Sequence, residues 1–279
     1  MPRISITDVM NFKSSPEPFT MLTAYDYHTA KLADQAEIPI LLVGDSLGMV
    51  VLGYNSTVEV TVSDMVHHTR PVVRGSSNAM VVTDMPFMSY HGAQDMTMVN
   101  AARIIQEGGA GAVKLEGGKT VCSTITSLVE AGIPVMSHIG LTPQSVHALG
   151  GFKLQGNTLK GAKALIEDAR AVEEAGAFAV VLELVPAELS QIITEELTIP
   201  TIGIGAGPYC SGQVQVAHDI LGLSIEYTPR HAGKFAELGA GSLQAFKDFK
   251  ISVSNKSFPA KTNYSQLKPG ISQQLSKRS

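Results

Sequence analysis

Short apolar runs recur along this chain between stretches of helical pattern, and four of them end on an acidic residue. Ile40-Leu-Leu-Val-Gly precedes Asp45, and Ala79-Met-Val-Val-Thr precedes Asp84. Gly111-Ala-Val-Lys-Leu precedes Glu116, and Phe178-Ala-Val-Val-Leu precedes Glu183. Runs this short, apolar at successive positions, read as parallel strands covered on both faces. The strand-then-helix rhythm persists through the chain, and no strand leads into a clean GxGxxG turn. That combination favours an α/β fold of the (β/α)8 TIM-barrel type over an open doubly wound sheet. In such a barrel the C-terminal strand ends open on one face, so the four carboxylates converge on one small volume and repel each other. A divalent cation is the simplest remedy, and the pattern predicts a metal-dependent enzyme.

The elements follow from the same pattern. Strands are expected at Phe19–Ala24, Ile40–Val43, Ala79–Thr83, Ala112–Leu115, Val135–Ser137, Ala179–Leu182 and Thr201–Ile204, with a less regular eighth at Gln213–Ala217. Helices are expected between them, among them Tyr27–Glu37, Val62–Arg74, Gln94–Glu107, Leu159–Ala175 and a final Lys234–Phe249. Pro71 should kink or shorten the second of these. A long glycine-containing loop, Gly140–Gly156, follows the fifth strand. One barrel domain over 1–258 is expected, including the N-terminal segment, followed by a polar tail over 259–279.

Of the 279 residues, 44% are apolar and only 16% charged, which suits a large core and subunit interfaces that spare surface from solvation. The net charge of −4 comes with no basic block, so no nucleic-acid or anionic-membrane partner is expected. No run approaches the ~20 apolar residues of a membrane span. The first ten residues lack the apolar region of a secretory signal, and Cys122 and Cys210 form no CxxC pair. These features predict a cytoplasmic protein with reduced thiols.

Gly44-Asp45-Ser46-Leu47-Gly48 is the sharpest local motif. Its glycines permit close backbone approach, Asp45 offers a hard oxygen ligand and Ser46 a hydroxyl. The plainer reading is an Asp and a Ser capping a helix start. Lys114 and Glu116 flank Leu115 and so share one face of their strand. Lys114 would bind a substrate carboxylate, carry a Schiff base or simply pair with Glu116. His138 follows the fifth strand as a ligand, a proton donor, a hydrogen-bond partner of substrate or a satisfied core histidine. The run Ile202-Gly-Ile-Gly-Ala-Gly207 either cradles a phosphate or cofactor or allows close packing.

Several stretches together resemble the ketopantoate hydroxymethyltransferase family. They are Thr23-Ala-Tyr-Asp-Tyr, Val43-Gly-Asp-Ser-Leu-Gly-Met, Asp84-Met-Pro-Phe-Met-Ser-Tyr, Val113-Lys-Leu-Glu-Gly-Gly, His138-Ile-Gly-Leu-Thr-Pro-Gln-Ser and Leu182-Glu-Leu-Val-Pro. The resemblance implies a barrel of the phosphoenolpyruvate mutase/isocitrate lyase type, typically decameric. It implies transfer of a one-carbon unit from 5,10-methylenetetrahydrofolate to 3-methyl-2-oxobutanoate through a Mg2+-stabilised enolate, in pantothenate biosynthesis. Carried over by motif, Asp45, Asp84 and Glu116 would serve the metal. Asp45, Ser46, Asp84 and Lys114 would contact the oxoacid, and Glu183 would be the catalytic base. The stretch Pro229-Arg-His-Ala232 departs from the family's usual Pro-Lys-Phe-like segment but lies outside the acidic cluster. Two other readings remain: a barrel enzyme cleaving a bond beside a 2-oxoacid without folate, and a non-catalytic oxoacid binder. All four strand-end acids are present, which weighs against the second.

Overall fold

A computed structural model describes residues 3–224 and 229–276 of the chain. Eight strands close into one parallel barrel in chain order. They are β1 (Phe19–Thr23), β2 (Ile40–Val43), β3 (Met80–Asp84), β4 (Ala112–Glu116), β5 (Val135–Gly140), β6 (Ala179–Glu183), β7 (Thr201–Ile204) and β8 (Gly212–Gln215). The closed eight-stranded parallel barrel is the fold expected. Strand β8, separated from β7 by a short turn, pairs with both β7 and β1 and completes the closure.

Side chains alternate across each strand, and the two sets have different neighbours. Ile40, Leu42, Met80, Val82, Ala112, Met136, Ala179, Val181, Ile202 and Ile204 form one cluster with Phe19, Met21 and Val214 inside the barrel. Leu41, Val43 and Val81 pack in a second cluster, and Val113, Leu115, Val135, Val180 and Leu182 in a third, both against the helices. Asp84, Lys114, Glu116, His138 and Glu183 continue the inward set of their strands. The barrel lumen is therefore apolar at its N-terminal end and charged at its C-terminal end. The helix Ile6–Asn11 covers the apolar end, with Val9 fully buried and Ile4, Ile6 and Phe12 packed on the inner cluster.

Where the structure differs from expectation, tertiary contacts account for it. The helix Val62–Gly75 runs through Pro71 without being shortened. Proline forfeits one backbone bond, but Met65, Val66, Thr69 and Val72 are buried, and Thr61 with Asp64 forms a capping box. Strand β5 extends to Gly140, so His138 lies within it and not beyond its end. The loop after it holds a 3-10 turn, Pro143–Ser145, and a helical turn, Val146–Leu149. The final long helix is Leu238–Ser254, shifted from the expected start at Lys234. The N–H groups of Phe235, Ala236, Leu238 and Gly239 donate instead to carbonyls of Ile220, Leu221 and Gly222. No residue of this helix is buried. The last three residues of the polar tail lie outside the described residues. No helix among the described residues is long and apolar enough to cross a membrane.

Asp34, in the helix Tyr27–Gln35, fixes the entry to β3. Its carboxylate accepts hydrogen bonds from the backbone N–H groups of Ser77, Asn78 and Ala79 at 3.0, 3.0 and 2.8 Å. Burial works to raise its pKa, but these donors prevail and hold it below the ordinary 3.8. A depressed carboxylate pKa contributes stability that is present above the unfolded value and lost as pH falls through the folded one. Asp34→Ala is expected to cost about 1–3 kcal/mol at neutral pH. In urea titrations the gap to the unsubstituted protein should close as pH falls below 3.8.

Candidate active site

The charged end of the lumen is assembled from strands placed side by side. In the β3–β4 register Asp84 faces Lys114, and in β4–β5 Glu116 faces His138. Glu183 ends β6 opposite Gly140. Asp45 and Ser46 lie on the turn from β2 into the short helical turn Leu47–Val50, where Ser46 makes no side-chain cap. Both side chains turn to the site and its neighbours: Ser46 Oγ is 2.8 Å from Tyr25 Oη, and Asp45 Oδ2 accepts from Gln144 Nε2 at 2.8 Å. Asp45, Asp84, Lys114, Glu116 and His138 are each at most 5% exposed. The Glu183 side chain is the most accessible of the acids, at 13%.

The contacts form a connected chain. The Asp45 N–H donates to Asp84 Oδ2 at 3.0 Å. Lys114 Nζ lies 2.8 Å from Asp84 Oδ1, so the lysine pairs with Asp84 and not with Glu116 as a simple strand pair would have it. That approach is an ion pair lacking hydrogen-bond alignment, and it leaves Asp84 Oδ1 buried without a hydrogen-bond partner. Glu116 Oε2 accepts from the backbone N–H of Gln144 at 3.0 Å, and its Oε1 is 3.4 Å from His138 Nδ1. His138 Nε2 lies 3.3 Å from Glu183 Oε2, again close but poorly aligned for a hydrogen bond.

Charge is badly matched here. Burial, followed by repulsion from Asp84 and Glu116, pushes the Asp45 carboxyl well above the ordinary carboxylate range. Burial would discharge Lys114, but Asp84, Glu116 and Asp45 outweigh it and raise its pKa. Burial and Lys114 both oppose a charged His138, yet Glu116 and Glu183 lift it to about 9. Four carboxyl groups thus meet only two basic side chains, Lys114 and His138, in one largely buried volume, and a divalent cation bound there would relieve their mutual repulsion. Among the described residues no three His, Cys, Asp or Glu side chains form a ready-made metal cage. Mg2+ needs none, since one or two carboxylates with water and substrate oxygens suffice. The buried carboxyl groups of Asp45 and Asp84 fit that pattern, although Asp84 Oδ1 already faces Lys114.

Three other residues escaped the sequence reading. Gln144, Tyr90 and Tyr25 are all buried, and each touches one of the acids or Ser46. All three lie within the motif stretches, but a neutral residue on a loop carries no charge or periodicity to mark it. The glycine run at the end of β7 is explained by packing. A Cβ on Gly205 would meet Leu184 at 2.7 Å, and one on Gly207 would meet Ala187 at 2.4 Å. His218 stands apart, its ring 5.5 Å from that of Tyr25.

Comparison with known proteins bears on this geometry. A family model described as ketopantoate hydroxymethyltransferase matches residues 3–261. A protein of Chloroflexus aurantiacus named 3-methyl-2-oxobutanoate hydroxymethyltransferase is 55% identical over 267 residues, covering 96% of this chain and 94% of its own. One of the same name from Dehalococcoides mccartyi is 53% identical over 275 residues, covering 99% and 98%. Among solved structures, 2,3-dimethylmalate lyase, a member of the PEP mutase/isocitrate lyase superfamily, superposes with a TM-score of 0.58. It is 17% identical and covers 99% of this chain and 95% of its own, a likeness of fold.

Gly44 tests how tightly the site is built. A Cβ there would lie 2.9 Å from Ser46 Oγ and 3.4 Å from Asp84 Oδ2. Gly44→Ala is therefore expected to displace Ser46 and lower catalytic activity about 10–100-fold, since small misplacements weaken catalysis strongly. Thermal melts should show little loss of stability beside that fall in rate.

Proposed function

The chain belongs to the ketopantoate hydroxymethyltransferase family, and on that premise we propose that it carries a hydroxymethyl group from 5,10-methylenetetrahydrofolate to 3-methyl-2-oxobutanoate with the help of Mg2+. The observation that carries the metal part of this reading is the gathering of the buried carboxyl groups of Asp45, Asp84 and Glu116 around a single lysine, Lys114. Asp45 and Asp84 would hold the metal, with Glu116 in or beside its shell. When bound, the metal would supply Lewis-acid polarisation of the 2-oxoacid and offset the charge that grows as the C3 proton leaves.

The chain's own residues divide the remaining work. Lys114, kept charged by its acidic neighbours, neutralises the oxoacid carboxylate. Ser46, held by Tyr25, offers its hydroxyl to the same substrate. Glu183 is the base that takes the C3 proton. Two observations support that choice: Glu183 is the most accessible of the acids, and Glu116 and Glu183 hold the adjacent His138 above the ordinary histidine range. A protonated histidine cannot accept a proton near neutrality. His138 instead steadies the Glu183 carboxylate from 3.3 Å. Burial of the acids and Lys114 keeps bulk water from screening their charges.

We place the enzyme in the cytoplasm, in keeping with its two free cysteines, and propose a homo-oligomer, a decamer by its resemblance to the family. The surface of Leu238–Ser254 supports association: Phe246, Phe249 and Ile251 are 71%, 58% and 58% exposed. Light scattering should give a mass several times the 29.5 kDa of one chain, and a monomer would overturn this.

Ketopantoate should form from 3-methyl-2-oxobutanoate only when methylenetetrahydrofolate is present. Product made without folate would point instead to bond cleavage beside a 2-oxoacid. Glu183→Gln keeps the size of the side chain and removes its basicity. The variant is expected to bind oxoacid nearly normally and to lose exchange of the C3 proton with deuterated solvent by about 100-fold or more. Exchange at the unsubstituted rate would take the role of base from Glu183.

A further inference from the structure

Gln144 is 3% exposed and lies on the 3-10 turn after β5, far in sequence from the acids it touches. Every hydrogen of its side-chain amide is committed. Nε2 donates to Asp45 Oδ2 at 2.8 Å and to the Met85 carbonyl at 2.9 Å. Oε1 accepts from the Tyr90 hydroxyl at 2.8 Å. That hydroxyl in turn accepts from the Glu116 N–H at 3.1 Å, and the Gln144 N–H donates to Glu116 Oε2 at 3.0 Å. The residue thus ties together the turn after β2, the residue after β3 and the end of β4.

The orientation of this amide is forced. The Met85 carbonyl can only accept, so the NH2 group must face it, and the same group then faces Asp45. Asp45 Oδ2 is therefore held as an acceptor. No hydrogen bond engages Oδ1 among the described residues, which leaves that oxygen for a ligand. A buried carboxylate gains from a donor fixed on one of its oxygens. An outer donor that orients a ligating carboxylate contributes much of a site's affinity.

We infer that Gln144 is a positioning residue that holds the Asp45 carboxylate ready for the divalent cation, with Tyr90 setting the orientation of its amide. The inference rests on the metal reading given above. Gln144→Met preserves volume and removes the donors. Tyr90→Phe preserves the ring and removes the hydroxyl that orders the amide.

The probe is Mn2+ in place of Mg2+, titrated into the purified full-length protein and followed by the electron paramagnetic resonance of the free ion. Gln144→Met is expected to weaken Mn2+ binding about 10–100-fold, and Tyr90→Phe to weaken it less. The double variant should resemble Gln144→Met alone, because both act through one amide. Circular dichroism checks whether each variant is folded. If Gln144→Met does not fold, Tyr90→Phe decides: unchanged affinity overturns the inference. Unchanged affinity in folded Gln144→Met overturns it as well. If the unsubstituted protein binds no Mn2+, it is the metal reading itself that fails, a result distinct from either.

Discussion

The organising constraint in this molecule is negative charge gathered where water is scarce. Asp45, Asp84 and Glu116 are nearly inaccessible and close enough that Asp45 is pushed toward its neutral form. No isolated element would tolerate this arrangement. It persists because the barrel below it is rigid and because each acid is given a specific partner: Lys114 for Asp84, Gln144 for Asp45, and the Gln144 N–H and His138 for Glu116. The excess of acidic over basic side chains that remains is what, in the function proposed above, a cation would offset. Charge poised in this way costs stability and yields function.

The strands that present these groups are themselves held by contacts remote from the chemistry. Asp34 ties the turn before β3, and the N-terminal helix covers the apolar end of the lumen. Alternation along β3 to β6 then delivers charge at one end of the barrel and hydrocarbon at the other. A one-residue slip in any of those strands would bury the acid among the helices and turn Val81, Leu115 or Leu182 into the lumen. Register therefore decides the candidate site as firmly as it decides the packing.

Much of this was legible along the chain. A carboxylate directly after an apolar run is costly unless used, so Asp45, Asp84, Glu116 and Glu183 declared themselves without any structure. Strands β2 and β7 have the limits their apolar runs suggest. The passage of a helix through Pro71 was not legible, because burial of its apolar face outweighs a local penalty. Nor was the start of the last helix at Leu238, since the preceding N–H groups are claimed by carbonyls from another turn.

The sequence by itself determined the barrel, the four acids and the family, because periodicity, composition and ordered motifs are properties of the chain read locally. Only the tertiary structure decided the partnerships. Lys114 has acidic residues near it in sequence, yet it pairs with Asp84, because neighbouring strands set those two in register. Gln144 lies 99 residues from Asp45 and bears no charge. Its part in the site exists only where the ends of three strands and one loop come within hydrogen-bond distance of each other, and that proximity is a product of barrel closure.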